Sequence, residues 1–238
     1  MRRNEAQTTW TTLAEKISRK CTGPCLTVLV LMIFLIMGQV ALSQPSSGSR
    51  SSGTRTSEIL GDYIKRHANE TPPASTQRKL KRYEPYIKYF SSLHFSQYGV
   101  KVSGNFLRAL ISAESAADPY AISDKNAYGL SQITIETGRL AAKELYKTKF
   151  DFKYVDEEKL KDLQQSDLFD PAINILICSY LIDKYNNQFG NNIALTVSAW
   201  NAGPGSVIQY KGYPPYEETL TLIARVNSYY RYYMQYYL

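Results

Sequence analysis

The segment "DPAINILICSYLIDKYNNQFG", from Asp170 to Gly190, contains signals for both ends of one apolar helix. Asp170 is a residue type that caps helix N-termini, and Pro171 suits the first helical position because its missing N–H is not needed there. Gly190 is a typical residue for ending a helix. The segment therefore predicts a helix that is capped at both ends.

Helical patterns continue on both sides of this segment. Asn192 is placed to cap the apolar stretch "IALTVSAW", and residues 216–236 carry aliphatic and aromatic side chains along one broad helical face. Upstream, apolar residues recur at spacings of three and four over 83–93 and again over 103–116. No stretch shows a two-residue alternation that would indicate a strand. The predicted fold class is all-α.

Two breaks precede this helical region. Residues 43–57, "SQPSSGSRSSGTRTS", have nothing to bury, and "ETPPASTQ" at residues 70–77 interrupts the chain again. The stretch "EILGDYIKRH" between them predicts a helix that is too short to be stable alone. We therefore expect a flexible linker over residues 44–78 and a helical domain with a single core over residues 79–238.

The apolar run "CLTVLVLMIFLIMGQVALS", residues 25–43, has no charge over nineteen residues, close to the ~20 that cross a bilayer. Residues 1–24 carry five basic side chains, so the N-terminus is expected to stay cytoplasmic. The alternative is a cleaved signal peptide, with "ALS" before Gln44 as the cleavage site. Both interpretations place the domain outside the cytoplasm, either anchored to the membrane or released from it.

Charge and cysteine content exclude several classes of function. The net charge of +7 lies mainly before residue 79, because residues 79–238 carry 18 basic and 16 acidic side chains. A nucleic-acid partner is therefore not expected. The three cysteines, Cys21, Cys25 and Cys178, form no disulfide framework, and no histidine cluster accompanies them. No metal and no cofactor is predicted.

Glu114 is the most informative polar residue in the helical pattern. It follows Leu107, Leu110 and Ile111 by seven, four and three residues, so it continues the face that points to the core. Burial there, and the negative end of the helix dipole, would both raise its pKa. A carboxyl group that stays protonated at neutral pH can act as a general acid. The alternative is a glutamate in the last turn that bends out to water.

Five segments in order resemble a known family. They are "ES" at Glu114–Ser115, "AIS" at Ala121–Ser123, "YGLSQIT" at Tyr128–Thr134, "AWNAGPG" at Ala199–Gly205 and "EETLTLIARVNSYY" at Glu217–Tyr230. Together they resemble the lytic transglycosylase domain of the soluble-transglycosylase type, a lysozyme-like family related to goose-type lysozyme. The resemblance covers residues 87–237 and implies a lysozyme-like helical domain that acts on peptidoglycan glycan strands. It also implies that the domain lies in the periplasm, either anchored in the inner membrane or secreted after signal cleavage.

The resemblance implies that Glu114 is the catalytic acid. Substrate-binding roles are carried over to seven residues: Ser115, Ser123, Gln132, Trp200, Asn201, Glu218 and Tyr230.

This chain also departs from the family pattern at several positions. Trp200 stands where a tyrosine is usual, Ser131 and Thr134 stand where methionines are usual, Ile135 replaces a common proline, and Leu222 replaces a frequent tyrosine. These departures leave the preferred substrate length open.

The implied reaction needs one carboxyl group. Glu114 would cleave the β-1,4 bond between N-acetylmuramic acid and N-acetylglucosamine and then assist closure of a 1,6-anhydro ring. Asp118 and Asp124 are the nearest candidates for a second carboxylate, but both lie in segments typical of turns. A hydrolytic muramidase and a non-catalytic peptidoglycan-binding scaffold for secretion or envelope machinery remain as alternatives. The domain is expected to be monomeric.

Overall fold

A computed structural model describes residues 52–95 and 101–236 of the chain. Within these residues there are ten α-helices and two short strands, joined by turns and by 3-10 helices at Lys81–Tyr83 and Gln165–Phe169. The helices are α1 Ser52–His67, α2 Ala74–Leu80, α3 Glu84–Phe90, α4 Gly104–Ser115, α5 Ile135–Lys147, α6 Glu157–Lys161, α7 Pro171–Gln188, α8 Ile193–Ala202, α9 Pro204–Tyr210 and α10 Glu217–Tyr236. The predicted all-α class is confirmed.

The predicted helix ends of α7 and α8 are also found. The Asp170 side chain accepts a hydrogen bond from the N–H of Ala172 at 2.9 Å, and Gly190 follows the helix with a φ of +63°. Asn192 accepts a hydrogen bond from the N–H of Leu195 at 3.1 Å and thereby caps α8. These ends depend on neighbours within three residues along the chain, which is why the sequence located them.

The core is built around α10, which packs against α4, α8 and α1. The buried stripe of α4 meets the buried face of α10, with Leu107, Leu110 and Val226 fully buried. α7 packs against α3, α5 and α8 on the other side of the core. Cys178 in α7 is fully buried, and this burial raises the pKa of its thiol to about 12.

A two-stranded ribbon interrupts the helical fold between α4 and α5. Strands β1, Ala127–Tyr128, and β2, Ile133–Thr134, pair antiparallel, with Ala127 opposite Thr134 and Tyr128 opposite Ile133. The sequence did not predict these strands, because two residues are too few to show an alternation. The ribbon holds residues 129–132 as a tight loop beside the C-terminal end of α4.

The expected flexible linker over residues 44–78 is corrected for residues 52–78. This segment forms α1 and α2, and α1 packs against α10 with Leu60 only 4% exposed. The Ser228 hydroxyl of α10 donates to the carbonyls of Ala68 and Glu70, at 3.2 and 2.8 Å. A helix that is too short to be stable alone is thus stabilised by tertiary packing. The compact unit begins at Arg50 rather than at Lys79.

We expect residues 50–238 to unfold cooperatively on heating, whereas residues 79–238 melt at a lower temperature. The shorter fragment exposes the face of α10 that α1 covers, and burial of one leucine such as Leu60 contributes roughly 2 kcal/mol. Circular dichroism melting curves of the two fragments measure the difference. Equal melting temperatures would show that α1 contributes nothing to the fold.

The predicted membrane-spanning or signal segment, residues 25–43, lies outside the described residues. Within 52–95 and 101–236, no helix has the length and apolar character needed to cross a membrane.

Candidate active site

Glu114 lies in the last turn of α4 and borders a cavity of about 490 Å³, called here the acid cavity. Helix α4 ends immediately afterwards, because Ala116 and Ala117 both adopt a left-handed conformation with φ of +51° and +59°. The side chain of Glu114 is half-buried in the cavity wall. The interpretation that this glutamate bends out into bulk water is therefore wrong.

The surroundings of Glu114 favour its protonated form. Burial raises the pKa from 4.5 to about 7, and the nearby charge of Glu218 acts in the same direction. The indole N–H of Trp200 donates to Glu114 Oε1 at 2.9 Å, and this hydrogen bond lowers the pKa, as does the charge of Arg225. Burial outweighs these two effects. Near neutral pH the carboxyl group can therefore both give and take a proton.

Gln132 lies at the end of the ribbon loop, between two cavities. It borders the acid cavity and also a second cavity of about 300 Å³ that Trp200 and Asn201 line. Its backbone is left-handed, with φ of +55°, and its side-chain nitrogen donates to the carbonyls of Gly129 at 2.9 Å and Ala121 at 3.2 Å. The amide oxygen is the atom that can accept a hydrogen bond from a ligand.

The ribbon loop is held in place by Asn174, which the sequence analysis did not identify. Asn174 is fully buried in α7; its side-chain oxygen accepts from the N–H and the hydroxyl of Ser131, at 3.0 and 2.5 Å. Its side-chain nitrogen donates to the carbonyls of Tyr128 and Leu168, at 3.0 and 2.8 Å. An asparagine inside the apolar run "AINILIC" is a signal that could have found it, because buried amides need partners.

Glu218 and Asn201 belong to a polar cluster beside the acid cavity. Asn201 donates to Glu218 Oε1 at 3.3 Å and accepts from the Thr219 hydroxyl at 2.6 Å. The ammonium group of Lys125 forms an ion pair with Glu218, and this hydrogen bond lowers the pKa of Glu218. Glu218 is therefore ionised at neutral pH and is unsuited to act as a second acid. Its negative charge helps to keep Glu114 protonated.

Ser115 and Ser123 both line the acid cavity, with different hydrogen bonds. The Ser115 hydroxyl donates to the carbonyl of Leu130 at 2.6 Å, which ties the end of α4 to the ribbon loop. The Ser123 oxygen accepts from the N–H groups of Lys125 and Ala127, at 3.3 and 3.1 Å. The Ser123 hydroxyl hydrogen can still be donated to a ligand, whereas that of Ser115 is already used.

Tyr230 is not brought to the acid cavity. Its ring lies 6.1 Å from that of Phe106, centroid to centroid, and it lines a separate cavity of about 220 Å³. Tyr229 lines the acid cavity instead. Successive residues of an α-helix point about 100° apart, and three turns take about eleven residues. Tyr229, eleven residues after Glu218, therefore shares the face of Glu218, and Tyr230 does not.

Two further residues of the acid cavity were missed by the sequence analysis. Arg225 follows Glu218 by seven residues, which is two helical turns, and it lines the cavity from α10. Pro73 lines the cavity from the connection between α1 and α2, a segment that had been interpreted as linker. Helical periodicity from Glu218 could have identified Arg225 and Tyr229, but no local pattern marks Pro73.

Comparison with known proteins places these features in a family. The family model described as "Transglycosylase SLT domain" matches residues 95–223. The chain is 30% identical over 122 residues to a putative soluble lytic murein transglycosylase of Haemophilus influenzae, covering 51% of this chain and 18% of that protein. It is also 30% identical over 146 residues to the membrane-bound lytic murein transglycosylase C of Photorhabdus laumondii, covering 58% of this chain and 36% of that protein. The matched parts are thus well under half of each relative's length.

A solved structure supports the fold. The 70 kDa soluble lytic transglycosylase SLT70 of Escherichia coli superposes with a TM-score of 0.50 and 22% sequence identity, covering 78% of this chain and 31% of that one. At this identity the likeness concerns the fold alone. The family model spans more than half of the chain and includes Glu114, the ribbon, Asn201 and Glu218, so the chain belongs to the transglycosylase SLT domain family.

Proposed function

We propose that the protein is a peptidoglycan lytic transglycosylase that takes part in cell-wall remodelling. It would cleave the β-1,4 bond between N-acetylmuramic acid and N-acetylglucosamine and leave 1,6-anhydromuramic ends. The observation that carries this proposal is the protonation of Glu114 near neutral pH. Its half-buried carboxyl group lines the acid cavity and has a pKa of about 7. Among the described residues that line the acid cavity, Glu114 is the one carboxyl group.

The proposed reaction has two steps, and Glu114 acts in both. In the first, Glu114 gives its proton to the glycosidic oxygen, the C1–O bond of the muramyl unit breaks, and the oxygen of the 2-acetamido group bonds to C1. In the second, the Glu114 carboxylate takes the proton of the C6 hydroxyl, whose oxygen displaces the acetamido oxygen from C1. The anhydro ring closes and Glu114 is protonated again, with no water consumed.

The surroundings of Glu114 support this route over one with two carboxylates. A second carboxylate would stand about 5–5.5 Å away in a retaining glycosidase and about 6.5–9.5 Å away in an inverting one. Asp118 accepts a hydrogen bond from the N–H of Tyr120 within a turn, and Asp124 is exposed. Glu218, whose charge acts on Glu114, is paired with Lys125 and accepts a hydrogen bond from Asn201. None of these three carboxylates lines the acid cavity. The substrate's acetamido group and C6 hydroxyl would then supply the two nucleophiles.

The product identifies the reaction. We expect the purified full chain to release muropeptides with anhydromuramic ends from sacculi, detected by mass spectrometry. A muramidase would leave reducing ends, which are heavier by one water. A non-catalytic scaffold would bind sacculi and release nothing. Either of these two outcomes would contradict the proposal.

Trp200 is proposed to tune Glu114 and to bind substrate from the second cavity. We expect Trp200→Phe to move the upper limb of the pH–rate profile to higher pH, because the indole N–H that favours the carboxylate is lost. The rate near neutral pH should fall roughly tenfold, since a hydrogen bond to a charged group is removed from the base step. Trp200→Tyr, which keeps a donor, is the control and should lose less. An unchanged pH profile in Trp200→Phe would argue against this role.

Binding roles are proposed for Ser123, Gln132, Asn201 and Glu218 as well. The Ser123 hydroxyl would donate a hydrogen bond to an amide or hydroxyl group of the sugar, and the amide oxygen of Gln132 would accept one. Asn201 and Glu218 would shape the groove through their mutual hydrogen bond.

The proposed substrate places the domain in the periplasm, either anchored through residues 25–43 or released after cleavage before Gln44. A secretion or envelope machine is a further proposed partner. A reporter fused after Leu238 that is active only in the cytoplasm would contradict this topology. Sequencing the mature N-terminus decides between anchor and signal peptide.

A further inference from the structure

Arg225 is the one cationic side chain among the described residues that line the acid cavity. It is half-exposed, with 38% of its side chain accessible, and it lies on the same face of α10 as Glu218 and Tyr229. The other basic group near the site, Lys125, is paired with Glu218. A positive charge at this place is not needed by the proposed acid–base steps, and it opposes the protonation of Glu114.

Glu70 forms an ion pair with Arg225. Arg225 Nε lies 3.6 Å from Glu70 Oε2, and Glu70 Oε1 lies 2.8 Å from Nδ1 of His67. The carbonyl of Glu70 also accepts the hydroxyl of Ser228 at 2.8 Å, one turn of helix after Arg225. The ion pair is therefore made at the Nε edge of the guanidinium, which leaves its two terminal nitrogens for a ligand.

The segment that carries Glu70 is itself part of the cavity wall. Pro73 lines the acid cavity, and the side-chain nitrogen of Gln77 donates to the carbonyl of Pro72 at 2.8 Å, which fixes the turn before α2. These residues precede the stretch 95–223 that the family model matches. This part of the site is thus supplied by a segment that lies before the family match.

We propose that Arg225, paired with Glu70, binds a carboxylate of the glycan substrate beside Glu114. Guanidinium groups match carboxylates geometrically, because two parallel N–H groups meet the two oxygens. The carboxylate belongs either to the lactyl group of a muramyl unit without a stem peptide or to the stem peptide itself. This inference rests on the proposed function and adds a substrate preference to it.

Binding measurements in the Glu114→Gln background test the proposal without turnover. Three oligomers of equal length are compared: peptide-free muramyl glycan with lactyl carboxylates, the same glycan with stem peptides, and neutral chitin oligomer. In this background, Arg225→Gln is expected to raise the dissociation constant of one or both carboxylate-bearing oligomers. The factor should be roughly ten times larger than for the chitin oligomer. The oligomer that shows the loss identifies the source of the carboxylate.

Two further variants make the result specific. Arg231→Gln removes an exposed arginine of the same helix that does not line the cavity, and it should leave all three affinities unchanged. Glu70→Gln leaves the cavity lining intact but removes the carboxylate that pairs with Arg225. It should therefore weaken binding of the same oligomers by a smaller factor. Circular dichroism checks that each variant is folded.

The outcomes separate this inference from the proposed function. Equal affinities of Arg225→Gln and its parent for the carboxylate-bearing oligomers would overturn the inference and leave the proposed function standing. Failure of the Glu114→Gln parent to bind any of the three oligomers would overturn both.

Discussion

Glu114→Gln is expected to abolish almost all cleavage of peptidoglycan while the protein stays folded. Glutamine keeps the size of the side chain but has no transferable proton, so the rate should fall by at least the ~10²–10⁴ typical of a lost general acid. Binding to sacculi should persist. Release of muropeptides, measured with wild type and variant at equal concentration, gives the factor.

The same substitution has a pH-dependent effect on stability. The pKa of Glu114 is raised from 4.5 to about 7, so the folded state binds this proton more tightly than the unfolded chain. Proton binding at Glu114 therefore stabilises the folded state of the wild type. This stabilisation is complete below about pH 4.5 and is lost as the pH rises through about 7. The variant lacks it. Glu114→Gln should therefore gain stability relative to wild type between about pH 5 and about pH 8, by at most about 3 kcal/mol. Urea unfolding at the two pH values measures this gain.

Asp118→Asn and Asp124→Asn serve as controls for the catalytic assignment. Neither residue lines the acid cavity, so both variants should keep most of the wild-type rate. A Glu114→Gln protein with near-normal turnover, or an Asp124→Asn protein as inactive as Glu114→Gln, would show that the assignment of Glu114 is wrong.

Gly129→Ala is expected to have the largest effect on the fold of the site. Gly129 has a φ of +76°, and an added Cβ would lie 2.2 Å from the carbonyl oxygen of Leu168 and 2.5 Å from Nδ2 of Asn174. The oxygen belongs to the backbone and the amide makes four hydrogen bonds, so neither can move aside at low cost. Loss of stability should reach about 3 kcal/mol or more, and the ribbon loop should be displaced.

Gly190→Ala is the matched control. Gly190 also has a positive φ, +63°, but nothing lies within 4 Å of an added Cβ. Gly190→Ala should lower the free energy of unfolding by only roughly 1 kcal/mol, which is the strain of an alanine in the left-handed conformation. Urea unfolding compares the two variants. Similar losses would show that backbone strain alone, and not the contact with Leu168 and Asn174, explains the glycine at position 129.

Features that depend on neighbouring residues were predictable from the sequence. The capping residues Asp170 and Asn192 and the helix from Gly104 to Ser115 were located because helix ends and helix faces repeat over a few residues. The position of Glu114 on the buried face of α4 followed from the same periodicity. Its raised pKa was anticipated, since burial dominates it.

Features that depend on contacts between distant residues required the tertiary structure. Trp200 donates to a carboxylate eighty-six positions away, Asn174 holds a loop more than forty positions away, and α1 is stabilised by α10 near the other end of the chain. Pro73 lines the acid cavity from the connection between α1 and α2, which no local pattern marks. A local pattern shows which faces of a helix are buried. It does not show which element buries them, because that choice depends on packing among all the helices at once.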